Sequence, residues 1–269
     1  MTQAQVPPLH SARGPMPAEH WIVAEPSPRW IRVFLGGEAV ADSKSVMMLR
    51  ENRVLPVYYF PRRDVRMDLF TASGQRSHDE HKGDAALWTI SAGGKVAEDA
   101  AWSYEAPIAD WPEIGDHVAF QWAKMDGWME EEEEVFVHPR DPYKRVDVMP
   151  SSRHIRVIVG GETIAESRRP SLLFETGLPV RYYLPPEDVR LDLLAATDTS
   201  TRCPYKGLAS YWTVRAGDRA GTDFVWSYQS PIPECPKIKG LMCFFNERVD
   251  AIYLDGELLP KPQTRWALP

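Results

Sequence analysis

The chain contains one sequence twice, because residues of its first half recur 124 positions later. The clearest shared segments are 31–38 with 155–162, 64–69 with 188–193, and 102–108 with 226–232. Repeats of about 20–50 residues indicate solenoids or propellers, whereas a repeat of this length has the size of a whole domain. The sequence therefore predicts two tandem domains of one fold. Positions that both copies share are needed by that fold, and positions that differ are better candidates for function.

The domain limits follow from where the repeat begins and ends. We predict a Pro-rich lead at 1–28, a first repeat domain at 29–137, a connector at 138–151 and a second repeat domain at 152–269. The lead has little capacity to form a core, although residues 21–23 are apolar enough to dock on the first domain. The connector contains two prolines, which favour an extended backbone.

Composition and charge limit the partners that the chain can have. The net charge is −7 and there is no basic stripe, which argues against nucleic acid as the main partner. No apolar run approaches the roughly 20 residues that a membrane span needs, and the N-terminal residues lack the apolar stretch of a signal peptide. We therefore expect no nucleic acid, no membrane and a cytoplasmic location.

The cysteines and histidines predict no metal and no cofactor. Cys203, Cys235 and Cys243 all lie in the second copy and form no CxxC pair, so a structural zinc site is not expected. A small, odd number of cysteines is typical of a reducing compartment. His78 and His81 are close in sequence, but such a pair in a loop does not predict a metal.

Local patterns predict an all-β fold in both copies. Gly36-Gly37 and Gly160-Gly161 each lie between short apolar runs, as in a two-residue hairpin turn. Further strands are predicted at 57–60, 181–184, 189–193, 209–214 and 224–228, because β-branched, aromatic or alternating residues dominate there. A short helical turn is predicted at 172–175, and no long amphipathic helix.

A set of motifs in the second copy resembles a known family. The string Cys203-Pro204-Tyr205-Lys206-Gly207 is followed by Tyr211-Trp212 and then by Trp226-Ser227-Tyr228, and it is preceded by Arg190-x-Asp192-Leu193 and the Gly160-Gly161-Glu162 hairpin. This combination resembles the signature of the domain-of-unknown-function family 427, and the first copy matches it more loosely.

The resemblance implies a fold more than a function. It implies two tandem β-tent-like domains, which are small assemblies of antiparallel sheets. Many β-tent domains hold zinc on paired CxxC motifs, and this chain has none. The family is sometimes labelled nucleotidyltransferase-like. That activity is not carried over, because the chain shows no paired carboxylates after a Gly-Ser turn that would hold two magnesium ions.

The candidate catalytic residues are Cys203, Tyr205 and Lys206. A thiol beside an ammonium ionises more readily and becomes a nucleophile or a redox group, and a phenol can donate a proton. At the positions of the first copy that are equivalent to the thiol and the phenol, the sequence has Asp79 and His81. We therefore expect the second copy to bind ligand and the equivalent place in the first to be altered or closed. The alternative is a plain turn, in which the cysteine packs as a small apolar side chain.

The candidate ligand-binding residues are aromatic and charged side chains of the second copy. They are Tyr183, Tyr211, Trp212, Trp226 and Tyr228, as walls that stack on a flat or cationic ligand, and Arg190 with Asp192, as a polar floor. Because the first copy keeps most of these aromatic residues, a role in the core is an equally open interpretation. The Arg-x-Asp pair is also open to interpretation as a cross-strand ion pair.

Three hypotheses for function remain open from the sequence. The protein is an enzyme that uses Cys203 or Lys206 on an unidentified small molecule, a non-catalytic module that binds such a molecule, or a scaffold for another protein. The sequence does not give the ligand, the reaction or the oligomeric state.

Overall fold

The computed structural model describes residues 20–52, 54–108 and 114–267. It divides these residues into two compact units, one ending at Asp141 and the other beginning at Pro142, which we name the first and second repeats. Each repeat consists of one seven-stranded and one four-stranded antiparallel sheet, so the all-β prediction is confirmed. Among the described residues no helix has the length and apolarity that crossing a membrane requires.

The described residues of the first repeat form eleven strands. They are β1 (Ile22–Pro26), β2 (Ile31–Leu35), β3 (Glu38–Ser43), β4 (Met47–Glu51), β5 (Val57–Pro61), β6 (Phe70–Asp79), β7 (Gly83–Ala92), β8 (Lys95–Ser103), β9 (His117–Phe120), β10 (Gly127–Glu130) and β11 (Glu133–Glu134). The seven-stranded sheet has the order β1-β4-β5-β9-β8-β7-β6, and the four-stranded sheet has the order β11-β10-β2-β3. Short 3-10 helices lie at Arg62–Asp64, Met67–Leu69 and Trp122–Lys124.

The second repeat has the same plan. Its strands are β12 (Val146–Pro150), β13 (Ile155–Val159), β14 (Glu162–Ser167), β15 (Ser171–Glu175), β16 (Arg181–Leu184), β17 (Leu194–Cys203), β18 (Gly207–Ala216), β19 (Arg219–Pro231), β20 (Met242–Phe244), β21 (Ala251–Leu254) and β22 (Glu257–Leu258). The sheets have the orders β12-β15-β16-β20-β19-β18-β17 and β14-β13-β21-β22. Short 3-10 helices lie at Pro186–Asp188, Leu191–Leu193 and Pro236–Ile238.

The seven-stranded sheet of each repeat is covered on both faces. In the second repeat, one face packs against the four-stranded sheet and carries Tyr182 and Val225. The opposite face carries Tyr183, Trp226 and Tyr228, and we name it the aromatic face. Because neighbouring residues of a strand point to opposite faces, Tyr182 and Tyr183 of β16 are buried in different clusters.

Each repeat gains an edge strand from a segment that the sequence placed outside it. Strand β1 comes from the predicted lead and pairs with β4. Strand β12 comes from the predicted connector and pairs with β15 in the equivalent register. Both segments are only five residues long and end in proline, so neither is recognised as a strand without its partner.

Two local predictions are wrong. Residues 172–175, predicted as a helical turn, belong to β15, whose two neighbours β12 and β16 satisfy its backbone on both sides. Residues 189–193, predicted as a strand, turn through the 3-10 helix Leu191–Leu193. The turn is closed by Arg190, whose carbonyl accepts from the amide of Leu193 and whose guanidinium makes two hydrogen bonds of 2.8 and 2.6 Å to Asp192.

The glycine-pair hairpins are confirmed, and the two glycines of each pair have different tasks. In the second repeat Gly160 and Gly161 have φ of 60° and 76°. A β-carbon on Gly160 would lie 2.1 Å from the carbonyl oxygen of Ala216, whereas one on Gly161 would meet nothing within 4 Å. The first glycine therefore permits a close backbone approach between the sheets, and the second only a positive φ.

This difference predicts two unequal substitutions. We expect Gly161→Ala to lower the free energy of unfolding by about 1 kcal/mol, the cost of a positive φ for alanine. Gly160→Ala should cost at least about 2 kcal/mol more, because the methyl group also forces the two backbones apart. Denaturant unfolding of both variants measures the difference. Equal losses would show that the close approach to Ala216 contributes nothing.

Candidate functional site

The Cys203-Gly207 turn lies at the tip of the long hairpin formed by β17 and β18. Cys203 ends one strand and pairs in register with Gly207, which begins the next. Gly207 has a φ of 105°, which allows the tight reversal. Within the turn, the amide of Lys206 donates to the carbonyl of Cys203 over 3.3 Å. The strands thus hold the thiol and the lysine side by side.

The aromatic face gathers several of the residues predicted from sequence. Tyr183, Trp226 and Tyr228 are buried there, and Cys203 and Tyr211 pack against them while staying partly exposed. The indole nitrogen of Trp226 donates to the Tyr183 hydroxyl over 3.0 Å. Burial raises the pKa of both Tyr183 and Tyr228 well above the ordinary value, so both phenols stay protonated.

The centre of this site is a buried ion pair that the sequence did not reveal. The ammonium of Lys206 lies 2.5 Å from one oxygen of Glu175, and both residues are buried. The other oxygen of Glu175 lies 3.3 Å from the ammonium of Lys144, which also sits 5.5 Å over the ring of Tyr205. One carboxylate at the end of β15 thus receives two cations, one from the turn and one from the chain before β12.

The electrostatics of the pair extend to the thiols. Burial by itself would lower the pKa of the Lys206 ammonium, but Cys203 and Glu175 beside it raise that pKa above its ordinary value. Burial raises the pKa of the Cys235 thiol to about 11, and the fully buried Cys243 is also shifted upward by burial. These two cysteines are therefore inert at neutral pH, and Cys203 is the partly exposed thiol next to a buried cation.

The first repeat has the same lysine and carboxylate with different neighbours. Lys82 lies 2.8 Å from Glu51 and also 2.8 Å from Asp79, which occupies the position of Cys203. His20 contacts Glu51 at 2.7 Å and stacks on His81 at 3.6 Å, where the second repeat has Lys144 and Tyr205. The lysine–glutamate pair therefore belongs to the shared fold, and the differences between the repeats surround it.

Three of the residues predicted from sequence lie elsewhere. Trp212 follows Tyr211 in β18 and so points to the opposite face, where it packs against the core between the two sheets. Arg190 and Asp192 pair with each other in an exposed turn, 54% and 60% exposed at their side chains. The expected ion pair therefore exists within one turn rather than across strands. None of these three contributes to the aromatic face.

A second buried ion pair borders the aromatic face and was also missed. Arg181 makes two hydrogen bonds of 2.7 Å to Glu247, whose side chain is fully buried. The guanidinium lies between the rings of Trp226, at 5.6 Å, and Trp266, at 5.4 Å. The first repeat has Val57 at the position of Arg181, so this pair is specific to the second repeat. An arginine inside a predicted strand was the available signal.

No group of three or more His, Cys, Asp or Glu side chains suited to a metal occurs in the part of the chain that the structure describes. What the site can do is therefore derived from the thiol, the buried charges and the aromatic rings.

The two lysines predict different losses of stability. Lys82→Met leaves two carboxylates without the buried ammonium, and of these, among the described residues, Glu51 keeps only His20, at 2.7 Å, and Asp79 keeps no cation. Lys206→Met leaves only Glu175, which keeps Lys144 at 3.3 Å. Removing one partner of a buried pair costs about 3–5 kcal/mol, so we expect Lys82→Met near the upper end and Lys206→Met near or below the lower end. Chemical unfolding at neutral pH compares them, and a larger loss for Lys206→Met would contradict the assignment of partners.

Comparison with known proteins adds the family and no activity. No curated protein matches the chain. One family profile, described as Domain of unknown function (DUF427), matches twice, at residues 23–131 and 147–255. The two matches cover most of the chain and coincide with the two repeats. The protein therefore belongs to the family described as Domain of unknown function (DUF427), of which it contains two tandem copies.

Proposed function

We propose that the second repeat binds a small molecule at the Cys203 turn and that Cys203 reacts with it as a thiolate nucleophile. One observation carries this proposal: Cys203 occupies the position at which the first repeat places a carboxylate on the buried lysine. Asp79 lies 2.8 Å from the Lys82 ammonium, and Cys203 is the corresponding neighbour of Lys206. A buried ammonium that favours an anion at this position also favours the ionised form of a thiol.

The balance of charge supports the same conclusion. In the first repeat Lys82 faces two carboxylates, Glu51 and Asp79. In the second repeat Glu175 faces two ammonium groups, those of Lys206 and Lys144. The second cluster therefore has two cations for one carboxylate, and the Cys203 thiol lies beside it. A partly exposed thiol in such an electropositive place is typical of cysteine nucleophiles.

The surroundings of the thiol provide for binding as well as reaction. Cys203 and Tyr205 are partly exposed, and the Tyr211 hydroxyl bonds to Thr201 over 2.6 Å at the same hairpin. Tyr205 and the Lys144 ammonium above it form a polar rim. An electrophilic small molecule with an anionic group fits these partners, since the thiolate attacks the electrophile and Lys144 attracts the anion.

The second candidate is a binding module without catalysis. The lysine–glutamate pair recurs in both repeats, and Lys206 is buried and already paired with Glu175. These two facts favour a structural role for the lysine over a catalytic one. In that case the aromatic face and the polar rim bind a ligand, and Cys203 only fills space. A scaffold for another protein is the third candidate. For all three we propose a cytoplasmic setting, which the three free cysteines support.

Selective alkylation tests the reactive thiol. We expect iodoacetamide to modify Cys203 at neutral pH while Cys235 and Cys243 stay unmodified until the protein unfolds, because both are buried. Lys144→Met should slow the reaction several-fold, because Glu175 then draws more of the Lys206 charge away from the thiol. Peptide mass spectrometry after timed labelling measures each cysteine separately.

The first repeat supplies a matched control. Asp79→Cys, made together with Cys203→Ser, places a thiol beside Lys82 in the other domain. This new thiol should also react at neutral pH, but several-fold more slowly than Cys203, since His20 stands where the second repeat has Lys144. If Cys203 resists alkylation in the folded protein, the reactive-thiol proposal is wrong, and ligand-dependent tryptophan quenching without turnover then distinguishes a binding module from a scaffold.

A further inference from the structure

A groove of about 290 Å³ lies on the side of the second repeat that carries Trp212, away from the aromatic face. Its walls include Pro186, Leu191, Leu194, Trp212, Gln229 and Met242. Leu191 lies at the rim of this groove and is 50% exposed. The volume is near the lower end of the range for small-molecule pockets and is enough for a ligand with one ring or two fused rings.

The first repeat fills the equivalent place with its own side chain. The guanidinium of Arg62 lies 5.4 Å over the ring of Trp88, the counterpart of Trp212. Arg62 also donates to the Ser103 hydroxyl over 3.2 Å and lies 3.9 Å from Asp116. A planar group next to the indole thus occupies this position in the same fold.

The second repeat lacks both charged groups. Pro186 stands at the position of Arg62, and Gly240 stands at the position of Asp116. The indole nitrogen of Trp88 donates to Ser103 over 3.0 Å, whereas the equivalent Ser227 accepts from Gln229 instead. The described part of the chain shows no hydrogen bond from the N–H of Trp212.

We propose that this groove binds a planar, uncharged ring that carries a hydrogen-bond acceptor. The ring takes the place that Arg62 fills in the first repeat, beside the edge of the indole that carries the N–H, because Arg62 and Trp88 both donate to Ser103 there. Its acceptor receives the free N–H of Trp212, and the apolar walls of Leu191, Leu194 and Met242 cover its edges. A cation without an acceptor is disfavoured, because it leaves the N–H of Trp212 unpaired and meets no carboxylate at Gly240.

Two probes of the same shape test the charge and the acceptor together. Quinoline is neutral and has a ring nitrogen that accepts, whereas N-methylquinolinium is a cation without an acceptor. In a two-dimensional NMR titration, quinoline should shift the indole N–H resonance of Trp212 saturably. N-methylquinolinium should bind at least about tenfold more weakly, the equivalent of one lost hydrogen bond. Trp212→Leu identifies the resonance and should abolish the shift.

Substitutions at the equivalent positions Arg62 and Pro186 give the matched variants. Pro186→Arg should close the groove from within and abolish quinoline binding. Arg62→Ala keeps the backbone amide of residue 62, which donates to the backbone carbonyl of Asp116 over 3.0 Å. The substitution uncovers Trp88 beside the Asp116 carboxylate. That new site should prefer N-methylquinolinium, the opposite of the natural groove.

The proposal is overturned if quinoline causes no saturable shift at Trp212, if the cation binds there as well as quinoline, or if Pro186→Arg leaves binding unchanged while the spectrum shows a folded protein. None of these outcomes depends on Cys203, which lies on the other side of the sheet.

Discussion

Each half of the chain contains one buried pair of a carboxylate and an ammonium group, and the rest of each domain depends on this pair. An unpaired charge in this position would cost several kcal/mol, so the glutamate at the end of β4 or β15 and the lysine of the hairpin turn must stay together. The pair ties the tip of the long hairpin to the far side of the seven-stranded sheet. Lys82 and Lys206 are therefore constrained by the fold before any function is considered.

Function is left to the residues that surround this pair. The fold requires that the buried lysine meet an anion, but it does not prescribe which one. The first repeat uses Asp79, and the second has Cys203 together with an additional cation, Lys144. A carboxylate at this position is chemically inert, whereas a thiolate is a nucleophile. Under the proposed function, the two repeats therefore differ by a reactive group at the same place.

The same division applies to the opposite face of the sheet. In the first repeat the Arg62 guanidinium lies 5.4 Å over Trp88, whereas in the second repeat Pro186 stands at that position and Trp212 lines a groove. Both changes are in the second repeat, and they lie on different faces because Tyr211 and Trp212 are adjacent in one strand. Under our two proposals, each difference leaves a group of the second repeat available to a ligand.

Much of the fold was predictable from sequence, because the duplication, the glycine pairs and the period-two patterns are local signals. Residues 189–193 misled because alternation is also compatible with a turn that is closed by a side-chain pair between Arg190 and Asp192. The separation of Tyr211 from Trp212 was available from strand geometry alone.

The partners of Lys206 were harder to predict from the sequence. Glu175 has an equivalent in the first repeat, Glu51, and each glutamate lies 31 residues before the lysine with which it pairs. A pairing over that distance depends on the order of strands in the sheet, which the sequence does not state. The edge strands β1 and β12 were missed for the same reason, since their neighbours come from later in the chain.

The most direct test of this account is the difference in unfolding free energy between Cys203→Asp and Cys203→Asn. The two side chains have the same shape and differ in charge. If the position holds an anion against the buried Lys206, the aspartate variant should be more stable at neutral pH by about 1 kcal/mol or more, since hydrogen bonds to charged groups contribute at least that much. An asparagine variant that is equally stable or more stable would show that Cys203 only fills space, and the central claim would fail.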